Sequence, residues 1–302
     1  MEKYDLIVVG AGHAGVEAAL VAQRLGLKVL LLSTNLSRVS FMSCNPAIGG
    51  LAKGHIVREI EALGGQMGFN ADKSCIQFKR LNQRKGPAVR GRRMQCDKAF
   101  YSQLMKDFVK KQKLELKEIE VKKVKIKNSI CKGVITKDGV YIPSQAVVIT
   151  TGTFMRAIMH IGKKKSEGGR LGDKATKGLS EQFLQIGFKV HRLKTGTPPR
   201  LDKNSINFEK TLLQKGDKEF QPFSLLSGIK PNLKQIDCYL SHTTEKTHEI
   251  IRKHLKDSPL FSGAVTGLGP RYCPSVEDKV TRFSAKKQHQ TFLEPEGLNT
   301  NS

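Results

Sequence analysis

The stretch "DLIVVGAGHAGVEAALVAQRLGLKVLLLS" (5–33) restricts the possible folds more than any other part of the chain. Residues 5–9 read as a buried strand that runs straight into Gly10, Ala11, Gly12, His13, Ala14 and Gly15. Helix formers continue to Leu25, Gly26 stops the helix, and residues 28–32 give a second apolar strand. GxGxxG between a strand and a helix, inside one βαβ unit, is the dinucleotide fingerprint. Gly10 permits the tight turn, Gly12 lets a pyrophosphate approach the backbone, and Gly15 lets the helix pack close to the strand. The helix N-terminus adds N–H groups and a favourable dipole. A ribose-binding Asp or Glu usually closes the second strand, but here the sequence reads Ser33-Thr34-Asn35. Neutral side chains can also bond a ribose, so the loop specifies a dinucleotide and leaves NAD against FAD open.

A charge-rich helical stretch follows from Cys96 to Lys113, and then the pattern becomes β. "VKIKNSICKGVITKDGVYI" alternates apolar and polar residues and turns at Asn128-Ser129 and Asp138-Gly139. Its lysines are expected on a solvated face. "AVVITTGTF" (146–154) reads as a buried strand ending in a Thr-Gly turn. A Rossmann unit, a β-meander and a strand ending in "TGTF", in that order, predict an α/β, glutathione-reductase-like FAD-binding Rossmann fold. Residues 1–200 are expected to form that FAD-binding portion, with the meander, and 201–302 an inserted α+β domain.

"SCNPAIGGLAKGH" (43–55) comes shortly after the second strand. Ile56, Val57, Ile60 and Leu63 have helical spacing and Gly64-Gly65 ends the run, which places Gly49-Gly50 at a helix mouth and Cys44 just upstream. "GPRYCPSVEDKVTRF" (269–283) repeats the logic: Ser275 and Asp278 match a capping box, and Cys273 precedes it with Arg271 two residues away. A helix N-terminus and a nearby cation raise the thiolate fraction of a cysteine, so these two thiols are expected to do chemistry. Cys75, Cys96, Cys131 and Cys238 have no such setting and are read as structural.

The six cysteines show no CxxC and no metal-ligand spacing, which suits reduced thiols in a cytoplasm-like compartment. His242, His248 and His254 recur every six residues, off any single helix face; they are read as exposed or capping, and no metal site is expected. Glu2 and Asp5 argue against a signal peptide. No apolar run approaches the ~20 residues of a membrane span. The formal net charge of +25 attracts polyanions, nucleic acid above all. Lys79, Arg80, Arg84, Lys85, Arg90, Arg92 and Arg93 crowd one short segment, where arginine forks match phosphate oxygens.

The chain resembles the N-terminal half of the tRNA uridine-5-carboxymethylaminomethyl modification enzymes, the MnmG/GidA family. "GAGHAG", "MSCNPAIGG", "KGPAVR", "GTF", "GGRLGD", "RLKTGTPPR", "THEIIRKHL", "GPRYCPSVEDKV", "RF", "HQ" and "FLEPEGL" carry the resemblance, from Gly10 to Leu298. It implies a cytoplasmic, homodimeric flavoprotein that works with the GTPase MnmE on the wobble uridine of tRNA. FAD is the cofactor, NADH the flavin reductant and methylenetetrahydrofolate the one-carbon donor. The 10–15 loop matches the FAD pyrophosphate contact, Val121 an adenine-side backbone contact and Thr176 a Ser/Thr cofactor contact. The nicotinamide-nucleotide segment matches Gly269, Pro270, Arg271, Tyr272, Cys273, Pro274, Ser275, Val276, Glu277, Asp278, Lys279, Val280, Thr281, Arg282 and Phe283. Cys273 is the expected nucleophile, Cys44 its proton-transfer partner and Asp278 a weaker candidate base with a competing role as helix cap.

"SFMSCNP" stands where the family usually has "GQMSCNP". The family pattern also predicts a returning FAD-domain segment and a helical C-terminal domain beyond the matched region, so the fold is expected to be truncated before that segment. The alternative to the enzyme is a non-catalytic fragment, or one half of a split enzyme, that binds tRNA or a partner chain carrying the other half. The related folate-dependent tRNA uracil methyltransferase lacks "SCNPAIGG", which decides against it.

Overall fold

Strands of a parallel sheet buried on both faces need apolar residues on both, and the first two strands have them. In the computed structural model, which describes residues 3–265, 267, 269 and 274–302, β1 (Tyr4–Val9) and β2 (Val29–Ser33) pair in parallel, Leu6 opposite Val29 and Val9 opposite Leu32. Leu6, Val8, Val29 and Leu31 enter one core cluster; Ile7, Val9, Leu30 and Leu32 enter the other. That alternation is the strand period of two. α1 (His13–Arg24) covers the first face through Val16, Ala19 and Leu20. Full burial of each large side chain contributes roughly 1.5–3 kcal/mol.

After β2 the chain forms β3 (Ala47–Gly49), α2 (Lys53–Ala62), α3 (Met67–Lys73), β4 (Cys75–Leu81) and β5 (Gly91–Cys96), with the strands in an antiparallel sheet ordered β3-β5-β4. α4 (Lys98–Lys111) is the expected charge-rich helix, capped by the Asp97 side chain on Phe100 N–H. β6 (Glu115–Glu118) then returns beside β2.

The meander is β7 (Val121–Lys127), β8 (Ile130–Thr136) and the start of β9 (Tyr141–Ile149). Asn128 and Ser129 turn between the first two at φ +53° and +59°, as a hairpin turn of primed type requires. Lys122, Lys123, Lys125 and Lys127 are exposed, as expected. One expectation is corrected. The third meander strand and the strand after it are a single element: Tyr141 to Pro143 pair antiparallel with β8, and Ser144 to Ile149 pair parallel with β1. Pro143 has no N–H to give the ladder, and Gly133 (φ +129°) lies so close that a Cβ there would stand 2.1 Å from Ile142 O. The strand stops at Ile149, with Gln145 and Ala146 exposed, so it is not the buried element expected over 146–154. The main sheet is ordered β6-β2-β1-β9-β8-β7.

Next come the hairpin β10 (Ile158–Ile161) and β11 (Lys164–Glu167), α5 (Leu179–Gln185), and a small sheet of β12 (Leu212–Gln214), β13 (Cys238–His242) and β14 (Gln290–Leu293), with α6 (Glu245–Lys253) and α7 (Val276–Arg282) between the last two strands. The 223–227 stretch locks onto α3. Asp72 accepts from Phe223 N–H (2.7 Å), Ser224 N–H (2.8 Å) and the Ser227 hydroxyl (2.6 Å). Phe223 sinks fully into the core cluster of β1 and α1.

Candidate dinucleotide site and cysteine segments

The glycine loop has the three spacings that a dinucleotide needs. At Gly10 (φ +108°) a Cβ would stand 2.4 Å from Thr150 O, and at Gly15 it would stand 1.7 Å from Gly10 O. Gly12 has nothing within 4 Å of its Cβ direction. Helix and strand therefore meet tightly at Gly15, while Gly12 opens onto free space. No side chain caps α1 and no acid occupies its first turn, so its leading N–H groups suit an anion. Thr150 closes the loop from behind, its hydroxyl donating to Gly10 O at 2.9 Å.

Around the loop lie buried polar atoms with no hydrogen-bond partner in the described residues: His13 Nε2, Ser40 Oγ and Tyr101 Oη. Ser40 N–H donates to Ala11 O at 2.9 Å, and Ser40 holds φ +46°, a left-handed conformation that favours glycine. His13 lies against Tyr101, with ring centroids 5.6 Å apart, and burial lowers its pKa to about 4. The unfolded chain then binds a proton below about pH 6.5 that the folded chain refuses down to about 4. Stability from this group is thus full at neutral pH and falls on acidification through that window. Urea denaturation at pH 7 and pH 5 is expected to differ by about 2 kcal/mol from His13 alone. The His13→Phe variant should lose that share of the difference; an unaltered pH dependence in it would refute the assignment.

Val121 is buried, in one core cluster with Val9, Leu179 and Met155. Thr176 exchanges backbone bonds with Phe154 and Arg156, and its own hydroxyl is buried with no partner among the described residues. The loop before it reaches the end of β2, where Asn35 Nδ2 donates to Asp173 Oδ1 at 3.3 Å. Asp173 also pairs with Arg170 (2.6 Å) and Arg38 (3.8 Å). The cradle at Gly12 and the orphaned Thr176 hydroxyl fit a dinucleotide.

Cys44 does not stand at a helix mouth. β3 intervenes, and α2 begins only at Lys53, because the chain first crosses to pair with β5. Gly50 does lie near that mouth, its carbonyl accepting from Gly54 N–H. Of the apolar residues that predicted α2, Val57 is buried while Ile56 and Leu63 are exposed. What surrounds Cys44 is the "KTGTPPR" segment. Its thiol points to Asn45 Oδ1 (3.6 Å) and Gly196 O (3.9 Å), and Arg200 donates to its carbonyl. Arg200 also bonds Glu296 at 2.8 Å, which Lys98 holds at 3.0 Å. The sequence motifs contained Cys44, Gly196 and Arg200 without showing that they meet.

Cys273 lies outside the described residues, as do Pro270, Arg271 and Tyr272. Gly269 sits beside Lys194, whose Cε is 3.6 Å from the Cβ direction. The same 192–200 segment that covers Cys44 thus runs past Gly269. Ser275 caps α7 and Asp278 completes the box, accepting Ser275 N–H at 3.2 Å. Asp278 therefore acts as a cap. An open cleft of about 510 Å³ beside α7 is lined by His242, Pro274, Lys279, Phe283 and His289 among others.

The remaining cysteines divide by burial. Cys75, Cys96 and Cys238 are buried, and desolvation raises all three thiols, Cys96 and Cys238 to about 12. Cys131 is half-buried on β8. The reading of the histidines needs one correction. His248 is 1% exposed and bonded to the Thr243 hydroxyl at 2.7 Å, because α6 turns it inward against His289. His254 is exposed at the end of α6, as expected.

The basic cluster separates into two groups. Lys79 pairs with Asp217 (3.1 Å) and Arg93 with Glu294 (2.7 Å). The Arg80 side chain reaches Gln221, and Arg92 donates to Pro222 O. Arg84, Lys85 and Arg90 stand exposed on the β4–β5 turn.

The family profile described as "Glucose inhibited division protein A" matches residues 5–302. The "tRNA uridine 5-carboxymethylaminomethyl modification enzyme MnmG" of Bdellovibrio bacteriovorus is 57% identical over 300 residues, covering 99% of this chain and 47% of that protein. The protein of the same description from Geobacter sulfurreducens is 53% identical, covering 99% and 48%. The solved structure of Aquifex aeolicus GidA, crystal form I, superposes with a TM-score of 0.92 at 47% identity, covering 99% of this chain and 51% of that one. The chain spans about half the length of the curated relatives it matches.

Proposed function

Because the chain belongs to the glucose-inhibited division protein A family over residues 5–302, we propose that it supplies the dinucleotide-binding part of an FAD-dependent enzyme that modifies the wobble uridine of tRNA. The observation that carries this reading is the glycine loop, open at Gly12 and closed at Gly15, within a fold shared with Aquifex GidA. The 10–15 loop, Val121 and Thr176 would hold FAD, whose flavin supplies the redox chemistry when bound and takes its electrons from NADH. The 269–283 segment, beside the Lys279 and Phe283 cleft, is the proposed nicotinamide-nucleotide contact. A cytoplasmic setting and, in the complete enzyme, a homodimer partnered by the GTPase MnmE complete the proposal. Among the described residues no helix is long and apolar enough to cross a membrane.

Uracil C5 is a poor nucleophile until a group adds at C6 and turns the ring into an enolate. The Cys273 thiolate is the proposed adding group: its sulfur bonds C6 as the C5–C6 double bond opens. C5 then attacks the methylene carbon of methylenetetrahydrofolate in its iminium form, the C=N π pair moving to nitrogen as the C–C bond forms; a base removes the C5 proton, and the thiolate leaves C6. Cys44, covered by the 192–200 segment, is proposed to move that proton.

The reading is tested by producing the chain together with a segment covering the rest of its relatives' length, in a bacterium lacking the endogenous enzyme. Modified wobble uridine, detected by mass spectrometry of tRNA nucleosides, is expected. A folded, yellow complex that leaves the uridine unmodified would overturn the tRNA reading.

Phosphate contact should fall to Arg84, Lys85 and Arg90, the three basic side chains on the exposed turn. Replacing all three by alanine is expected to flatten the dependence of log affinity on log salt by about three units. Arg93→Ala, which breaks the pair with Glu294, should leave the slope alone. Equal slopes for the wild type and the triple variant would make this turn a merely solvated face.

A further inference from the structure

The end of β2 lacks the acid that usually accepts from the adenosine ribose hydroxyls, yet a carboxylate stands there. Asp173 arrives from the "GGRLGD" loop, 138 residues further along the chain, and its Oδ1 lies 3.3 Å from Asn35 Nδ2. Resting on the FAD reading above, we propose that Asp173 is the ribose-hydroxyl acceptor of the adenosine half of the site, in place of a β2 acid.

The local hydrogen bonds leave it that role. Ser33 Oγ is committed to the turn, donating to Asn35 O (3.1 Å) and accepting Asn35 N–H (3.2 Å). Asn35 Oδ1 is committed too, accepting Ser37 N–H at 2.9 Å and the Ser37 hydroxyl at 2.7 Å. Asn35 Oδ1 has both acceptor positions filled, and Ser33 Oγ keeps one of its two. A carboxylate accepts about four hydrogen bonds. Asp173 takes Asn35 on Oδ1, and Arg170 (2.6 Å) with the Arg38 ion pair (3.8 Å) on Oδ2. Oδ1 keeps capacity for a hydroxyl.

The group is also pre-aimed. Arg170, which holds it, donates to Ser43 Oγ at 2.8 Å, and its guanidinium lies over the rings of Phe41 (4.8 Å) and Phe154 (5.5 Å). The Asp173 side chain is 8% exposed, so little bulk water competes for it. Three residues on, Thr176 presents the buried hydroxyl that has no partner among the described residues. The same loop therefore carries two unspent polar groups to one end of the sheet, an arrangement suited to a sugar and its phosphates.

Isothermal titration of the chain with ADP, 2′-deoxy-ADP and 3′-deoxy-ADP tests this. The wild type is expected to prefer ADP over at least one deoxy analogue by about tenfold. Asp173→Asn should weaken ADP about tenfold, leave that analogue unchanged and so erase the preference. Adding Asn35→Asp to Asp173→Asn returns a carboxylate to the same place and should restore it. Unchanged ADP affinity and preference in Asp173→Asn would overturn the inference. If melting shows that Asp173→Asn does not fold, Asn35→Ala decides by the same criterion, since it removes the tether and keeps the Arg170 pair. Gly12→Val separates the two levels. Binding that this substitution blocks but Asp173→Asn leaves intact sinks only the Asp173 role. Absence of binding in the wild type, or binding that survives Gly12→Val, removes the dinucleotide reading and the inference with it.

Discussion

Gly15→Ala is expected to leave little folded protein, whereas Gly12→Val should fold and fail to bind a dinucleotide. The two glycines are three residues apart in one motif, and the difference is geometric. A methyl group at Gly15 would stand 1.7 Å from Gly10 O and 2.6 Å from Thr150 Oγ1. Both neighbours are fixed, since Gly10 N–H donates to Leu32 O and Thr150 N–H to Val9 O, each at 2.8 Å. Relief requires α1 to lift off β1, pulling Val16, Ala19 and Leu20 from the core. The cost should exceed about 3 kcal/mol, a large part of a total stability of about 5–15 kcal/mol. At Gly12 the same methyl meets nothing within 4 Å, and φ is −73°, which any residue adopts. The stability change there should stay near ~1 kcal/mol, while the side chain fills the approach of the pyrophosphate. Thermal melts and ADP titrations check both. A Gly15→Ala protein melting within a few degrees of the wild type would show that the helix is not held where this structure has it.

Cys273→Ser is expected to lower wobble-uridine modification at least about 10²-fold in the chain completed to its relatives' length, with FAD content unchanged. A serine hydroxyl at that position is far too weak an acid to ionise near neutral pH, so addition at C6 loses its nucleophile. Cys44→Ser should cost about 10²-fold or more if its thiol moves the C5 proton. Its neighbours Asn45, Gly196 and Arg200 should hold the backbone in either variant. Cys131→Ser, on the half-buried β8 position, is the control and should change little. Wild-type levels of modified uridine in Cys273→Ser would remove the nucleophile assignment. Loss of flavin from the same variant would make it a binding residue instead.

What the sequence could determine by itself was whatever is local. The βαβ unit of residues 4–33 was readable because strand alternation, helix spacing and the glycine loop all act over a few residues, and the structure has them in register. The same holds for the turn at Asn128-Ser129 and the Ser275–Asp278 cap. Tertiary structure decided the rest, because a local pattern does not state its partner. Helical spacing around Ile56 predicted α2, but the pairing of β3 with β5 moved its start away from Cys44. Four of the seven clustered cations found partners distant in sequence (Asp217, Gln221, Pro222 and Glu294), leaving Arg84, Lys85 and Arg90 to the solvent. The neutral end of β2 was legible at once, whereas a carboxylate beside it comes from Asp173, fixed there by Asn35 and two arginines. The physical reason is common to all three: hydrogen bonds and ion pairs act over a few ångströms in space, and only folding sets which distant residues come within that range.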